Sequence, residues 1–138
     1  MKNFLSLIFF SLFIILPANS TNHKTIGEGE LKLSDGMIRY FEAYIKTKGG
    51  KSPETFVIAI DGSYAMYWFC PTGNCQVGDE ADYIKKCEIK AGVDCKVFAR
   101  KRSIKWKNGI NPGKGKVSKI NSKLDFYELK SKLNELGF

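Results

Sequence analysis

The sequence predicts an α+β fold: a small antiparallel sheet, made of a hairpin plus a third strand, packed with helices and stabilised by disulfides. Three observations lead there. Two β-rich runs, FVIAI at 56–60 and YAMYWFC at 64–70, are joined through Asp61-Gly62-Ser63, which is hairpin turn chemistry. Three other stretches repeat their apolar residues at helical spacing. Four cysteines, Cys70, Cys75, Cys87 and Cys95, bracket two further predicted turns.

Taken in order, residues 1–20 read as a signal peptide: Lys2, an apolar core over 4–16, then Pro17 and the small-x-small site Ala18-Asn19-Ser20. The core is shorter than the roughly 20 apolar residues needed to span a bilayer. The other reading of this segment is an uncleaved anchor. Cleavage after Ser20 places the mature chain at 21–138, with no transmembrane span and a periplasmic or secreted location. The next stretch, 21–33, is polar and Gly-containing and reads as a flexible tail ahead of a single domain at 34–138.

A first helix starts at Ser34 or Asp35, with Met37, Tyr40, Phe41, Tyr44 and Ile45 on one face. Gly49, Gly50 and Pro53 stop it, and the hairpin follows. Tyr67 and Trp68 are adjacent on a strand and so point to opposite faces. A second helix carries Ala81, Ile84, Cys87 and Ile89, with Asp79 as cap and Gly92 as stop. CKVFAR at 95–100 is the third strand, and a basic connector covers 96–121. The last helix is expected over 123–136, capped by Ser122 in a capping-box relation to Asp125 and ended by Gly137.

An even cysteine count in a small exported chain points to disulfides. Of the three pairings possible, Cys70 with Cys75 and Cys87 with Cys95 are both local, and each spans a predicted turn. A zinc site wants two tight knuckles, which spacings of four and seven intervening residues do not supply. CPTGNC is also not the C-x-x-C of a redox pair. The stretch from Phe56 to Arg100, with its hairpin, its helix ending near a cysteine and Gly92-Val93-Asp94-Cys95 leading into a strand, resembles small exported bacterial domains of unknown function. That resemblance implies a cysteine-stapled α+β module and carries no catalytic motif.

Charge is the main anomaly. Between Asp94 and Asp125 stand ten basic residues and no acidic one, whereas 21–138 as a whole has a net charge of +7. The remainder of the mature chain is therefore acidic, and the positive charge is local. Arg100, Lys101, Arg102, Lys105, Lys107, Lys114 and Lys116, with Trp106 among them, form a candidate anion-binding loop. Such a loop can hold lipid headgroups, acidic glycans or nucleic acid, with Trp106 stacking on a ring. The alternative is a solvated basic face on a structural or protein-interaction module. GINPGKGKVS falls short of a P-loop, because Gly109 and Gly113 enclose three residues and Lys114 is followed by Gly115.

The one histidine, His23, lies in the tail, so no Ser-His or Cys-His dyad can be assembled. The pairs Asp61 with Asp79 and Asp82 with Glu88 have no spacing that favours acid-base work. The expectation is therefore a binding module that meets an anionic envelope component, with no enzymatic activity and no cofactor. Cleavage after Ser20 would also leave the Thr21 amine, two amides and the His23 imidazole able to chelate Cu(II) or Ni(II) in a plane.

Overall fold

The computed structural model describes residues 24–46, 49–72, 75 and 80–138. Helix α1, Asp35–Ile45, starts where the Ser34 hydroxyl accepts a hydrogen bond from the Met37 N–H at 3.2 Å. It buries Phe41, Tyr44 and Ile45 of the expected stripe together with Ile38, while Met37 is half-buried and Tyr40 is exposed. Strands β1, Ser52–Ala59, and β2, Ala65–Cys70, form the expected hairpin, with Phe56 opposite Tyr67 and Ile58 opposite Ala65. The Asp61 carboxylate accepts from the Ser63 N–H at 2.9 Å and the Ser63 hydroxyl at 2.6 Å, so the turn carries its own hydrogen bonds.

Helix α2 spans Glu80–Ala91. Its expected cap, Asp79, lies outside the described residues. Gly92 ends it with φ 73°, donating to the Glu88 carbonyl at 2.9 Å. Strand β3, Cys95–Arg100, pairs antiparallel with β1, and the short β4, Ser103–Ile104, pairs with β3. β4 is not legible in the sequence, because two residues inside a basic run carry too little pattern. Helix α3 is Phe126–Glu135.

The sheet order is β2-β1-β3-β4, which places β1 inside, where both faces can be covered. Phe56 and Ile58 face the core built with α1 and α3, while Val57 and Ala59 face the α2 side. The sheet is thus a middle layer with helices on both sides. Tyr67 and Trp68 divide accordingly: Tyr67 joins Tyr40, Tyr44 and Phe56, and Trp68 stacks on Tyr83 of α2 with ring centroids 3.7 Å apart. Disulfides join Cys70 to Cys75 and Cys87 to Cys95, with Cα–Cα distances of 5.6 and 6.0 Å. The second ties the end of α2 to the start of β3.

Two expectations need correction. The last helix starts at Phe126, three residues later than the sequence reading placed it, with Asp125 as its cap. Glu128 N–H donates to the Asp125 carboxylate at 2.9 Å, and Asp125 N–H donates to the Glu128 carboxylate at 3.0 Å. A glutamate is long enough to reach back across the first turn, and this reciprocal pair wins over Ser122 with the shorter Asp125.

The 21–33 segment is also not a loose tail over its described part. Val97 N–H donates to the Thr25 carbonyl, Gly27 N–H to Val97, Lys107 N–H to Gly27 and Gly29 N–H to Lys107, over 2.7–3.1 Å, and Leu31 is buried. Gly27, which as a sequence signal indicated looseness, is instead a packing requirement. A Cβ there would lie 1.9 Å from Trp106 Cε3.

Candidate anion-binding face

The basic connector leaves β3 at Arg100, turns through Lys101 and Arg102, crosses Trp106 and circles back at Lys119 to bridge Ser103. Its backbone is fixed by short polar side chains. Asn108 accepts from the N–H groups of Ile110 and Asn111 and donates to the Leu136 carbonyl at 2.7 Å. Asn111, fully buried, donates to the Trp106 carbonyl at 2.6 Å, and its side-chain oxygen meets the Ser118 hydroxyl at 2.7 Å. Gly113 adopts φ 72° with the Lys105 carbonyl 2.5 Å from where a Cβ would stand. The loop is therefore a hydrogen-bonded scaffold, and buried Asn111 and Ser118 are the residues the sequence reading missed. Their signal would have been two polar side chains in a segment otherwise short of apolar anchors.

The candidate residues separate into two groups on this scaffold. Trp106 is 1% exposed, and its indole N–H donates to the Gly29 carbonyl at 2.9 Å. Its expected role as a stacking platform is corrected: the ring is core, held between the amino-terminal segment and Phe98. Arg100 pairs through two nitrogens with Glu80, whose side chain is 7% exposed. The hydrogen bonds Arg100 donates to the Glu80 carboxylate raise the Arg100 pKa, so its charge is held and committed internally. Arg102 Nε donates to the Ile45 carbonyl at 2.7 Å, which ties the β3–β4 turn to the end of α1.

The lysines make up the second group. Lys101, Lys107, Lys114 and Lys116 are exposed, as is Lys119, and Lys105 is half-buried. None of the six is in an ion pair with a described residue. Arg102, Lys116 and Lys119 line an open pocket of about 430 Å³ with Ile120, Asn121 and Ser122, with no carboxylate among its described lining residues, and Lys119 also lines a second groove with Glu128 and Glu135. Lys119 and Asn121 carry no site signal in the sequence, and Ser122 reads there only as a helix cap, since only the return of the chain to Ser103 brings them beside Arg102.

His23 and Thr21 lie outside the described residues. Among the described residues no cluster of His, Cys, Asp or Glu could hold a metal ion, and no helix is long and apolar enough to cross a membrane. Asp61 is engaged by its own turn, and its carboxyl is held below the ordinary aspartate range by the Ser63 hydroxyl and N–H. Comparison with known proteins finds no family model, no curated protein and no solved structure that matches the chain.

Proposed function

We propose that the protein is an exported, disulfide-stabilised binding module whose lysine-rich loop holds an anionic component of the cell envelope, acting by binding and without catalysis. The observation that carries this reading is the set of exposed lysines Lys107, Lys114, Lys116 and Lys119 on one hydrogen-bonded loop, none in an ion pair with a described residue. Lysines gathered on one short loop repel one another, and an anion relieves that repulsion. The disulfides and the amino-terminal apolar segment support export to an oxidising compartment.

Titration of the exported protein with phosphatidylglycerol vesicles, heparin and single-stranded DNA at low and high salt tests the proposal. Replacing Lys107, Lys114, Lys116 and Lys119 by Gln should weaken binding to an anionic surface by about fivefold per lysine and flatten its salt dependence. Unchanged binding and unchanged salt slope would leave the second reading, a structural or protein-interaction module with a solvated basic face. That reading draws on the internal engagement of Arg100, Arg102 and Trp106.

A further inference from the structure

The lysine-rich loop also displays apolar side chains. Ile110 is 64% exposed and Val117 is 47% exposed. Each directly precedes one member of the buried Asn111–Ser118 pair, whose side chains meet at 2.7 Å, so one hydrogen bond fixes the backbone next to both apolar positions. Lys107, Lys114, Lys116 and Lys119, all exposed, surround them in sequence. An exposed branched aliphatic gains nothing from a phosphate or a sulfate, yet here two are held out on a fixed backbone among cations. Exposed apolar groups interspersed with lysines along one fixed loop suit a surface with negative charge outside and hydrocarbon beneath.

From this we infer that the anionic component is a lipid surface, with Ile110 and Val117 inserted at the headgroup–acyl boundary and the four lysines against lipid phosphates. The inference rests on the anion-binding reading and names its ligand class. Nucleic acid fits less well. The loop's own aromatic ring, Trp106, is buried, so the loop presents no ring on which a base could stack.

The test uses the exported protein, its amino terminus established by sequencing, with vesicles of phosphatidylglycerol and phosphatidylcholine, vesicles of phosphatidylcholine alone, and heparin as a charge-only probe. The double substitution Ile110→Ser, Val117→Ser should weaken binding to the anionic vesicles by about tenfold and leave heparin binding unchanged. Ile110 also lies over Gly137, so Val117→Ser alone, with an unchanged melting temperature, serves as the second variant and should lose part of the same affinity. Val117→Ile should retain it. Anionic-vesicle binding that both serine variants leave intact would overturn the lipid inference while the anion-binding reading stands. Tighter binding to DNA than to vesicles would also overturn it. Failure to bind any anionic probe would remove the underlying reading and the inference together.

Discussion

The six-membered ring of Trp106 fills the space beside Gly27 that any larger residue would need, with Cε3 1.9 Å and Cζ3 2.1 Å from where a Cβ would stand. The same indole donates to the carbonyl of Gly29, so ring, glycine and backbone strand form one joint between the amino-terminal segment and the connector.

Gly27→Ala should therefore destabilise the fold by about 2 to 3 kcal/mol, since the ring has no vacant direction in which to retreat. Urea unfolding followed by Trp fluorescence measures this directly. A midpoint equal to that of the parent protein would contradict the packing.

Arg100 and Glu80 should respond unequally to truncation. Removing Arg100 leaves a carboxylate on a side chain only 7% exposed, whereas removing Glu80 leaves a guanidinium that water reaches. Arg100→Ala should cost about 2 kcal/mol and Glu80→Ala about 1 kcal/mol, the latter discounted for solvent screening. Chemical denaturation of both variants, and of the double variant, gives the coupling between them. Equal costs would mean that the pair is already hydrated.

Exchange of Cys87 and Cys95 for serine should lower stability by about 2 to 3 kcal/mol, because this bridge closes the longer loop and joins a helix to a central strand. Exchange of Cys70 and Cys75 should cost less, as that bridge closes a shorter loop at the end of β2. Thermal unfolding of the two double variants ranks them.

Tyr44 is fully buried, and its hydroxyl has no hydrogen-bond partner among the described residues. Burial pushes the phenol above its ordinary pKa, so it stays neutral. Tyr44→Phe should leave stability unchanged or raise it by up to about 1 kcal/mol, since an unpaired buried hydroxyl is removed and the ring kept. A clear loss on calorimetry would reveal a partner for the hydroxyl.

Asp61 sets a pH dependence with a definite sign. Its folded pKa lies below the ordinary value because the Ser63 hydroxyl and N–H bond the charged form. The stabilisation is therefore complete above the unfolded-state pKa and is lost as pH falls through the folded value. The difference in melting temperature between the parent protein and Asp61→Asn should be largest near neutrality and shrink in acid. A constant difference would mean that ionisation of Asp61 is irrelevant to the turn.

The elements legible in the sequence are those whose causes are local. Asp61 makes its turn with Ser63 two residues on, α1 takes its cap from Ser34, and both disulfides join near neighbours. What failed depends on partners far along the chain. Trp106 is read as a ligand platform until Gly27 and Gly29 are known to lie on it, and Arg100 is read as free charge until Glu80 arrives from the start of α2. The glycines of 27 and 29 give the same local signal whether they loosen a chain or admit a ring. Of the candidate site, the lysines survive as a face because exposure is their ordinary state. The pocket with Lys119 could not be read, since no local rule brings residue 119 to residue 103.

The docking of 25–29 onto Val97 and Lys107 also orders events in time. Synthesis produces this segment well before either of its partners, and its backbone groups must wait for both. Closing so large a loop is entropically slow, so the sheet's nearer pairings, β1 with β2 and then with β3, can form first. In that order the amino-terminal segment is a latch that closes last, against a sheet already built, and before it closes the side of the Trp106 indole that meets Gly27 would stand open to water.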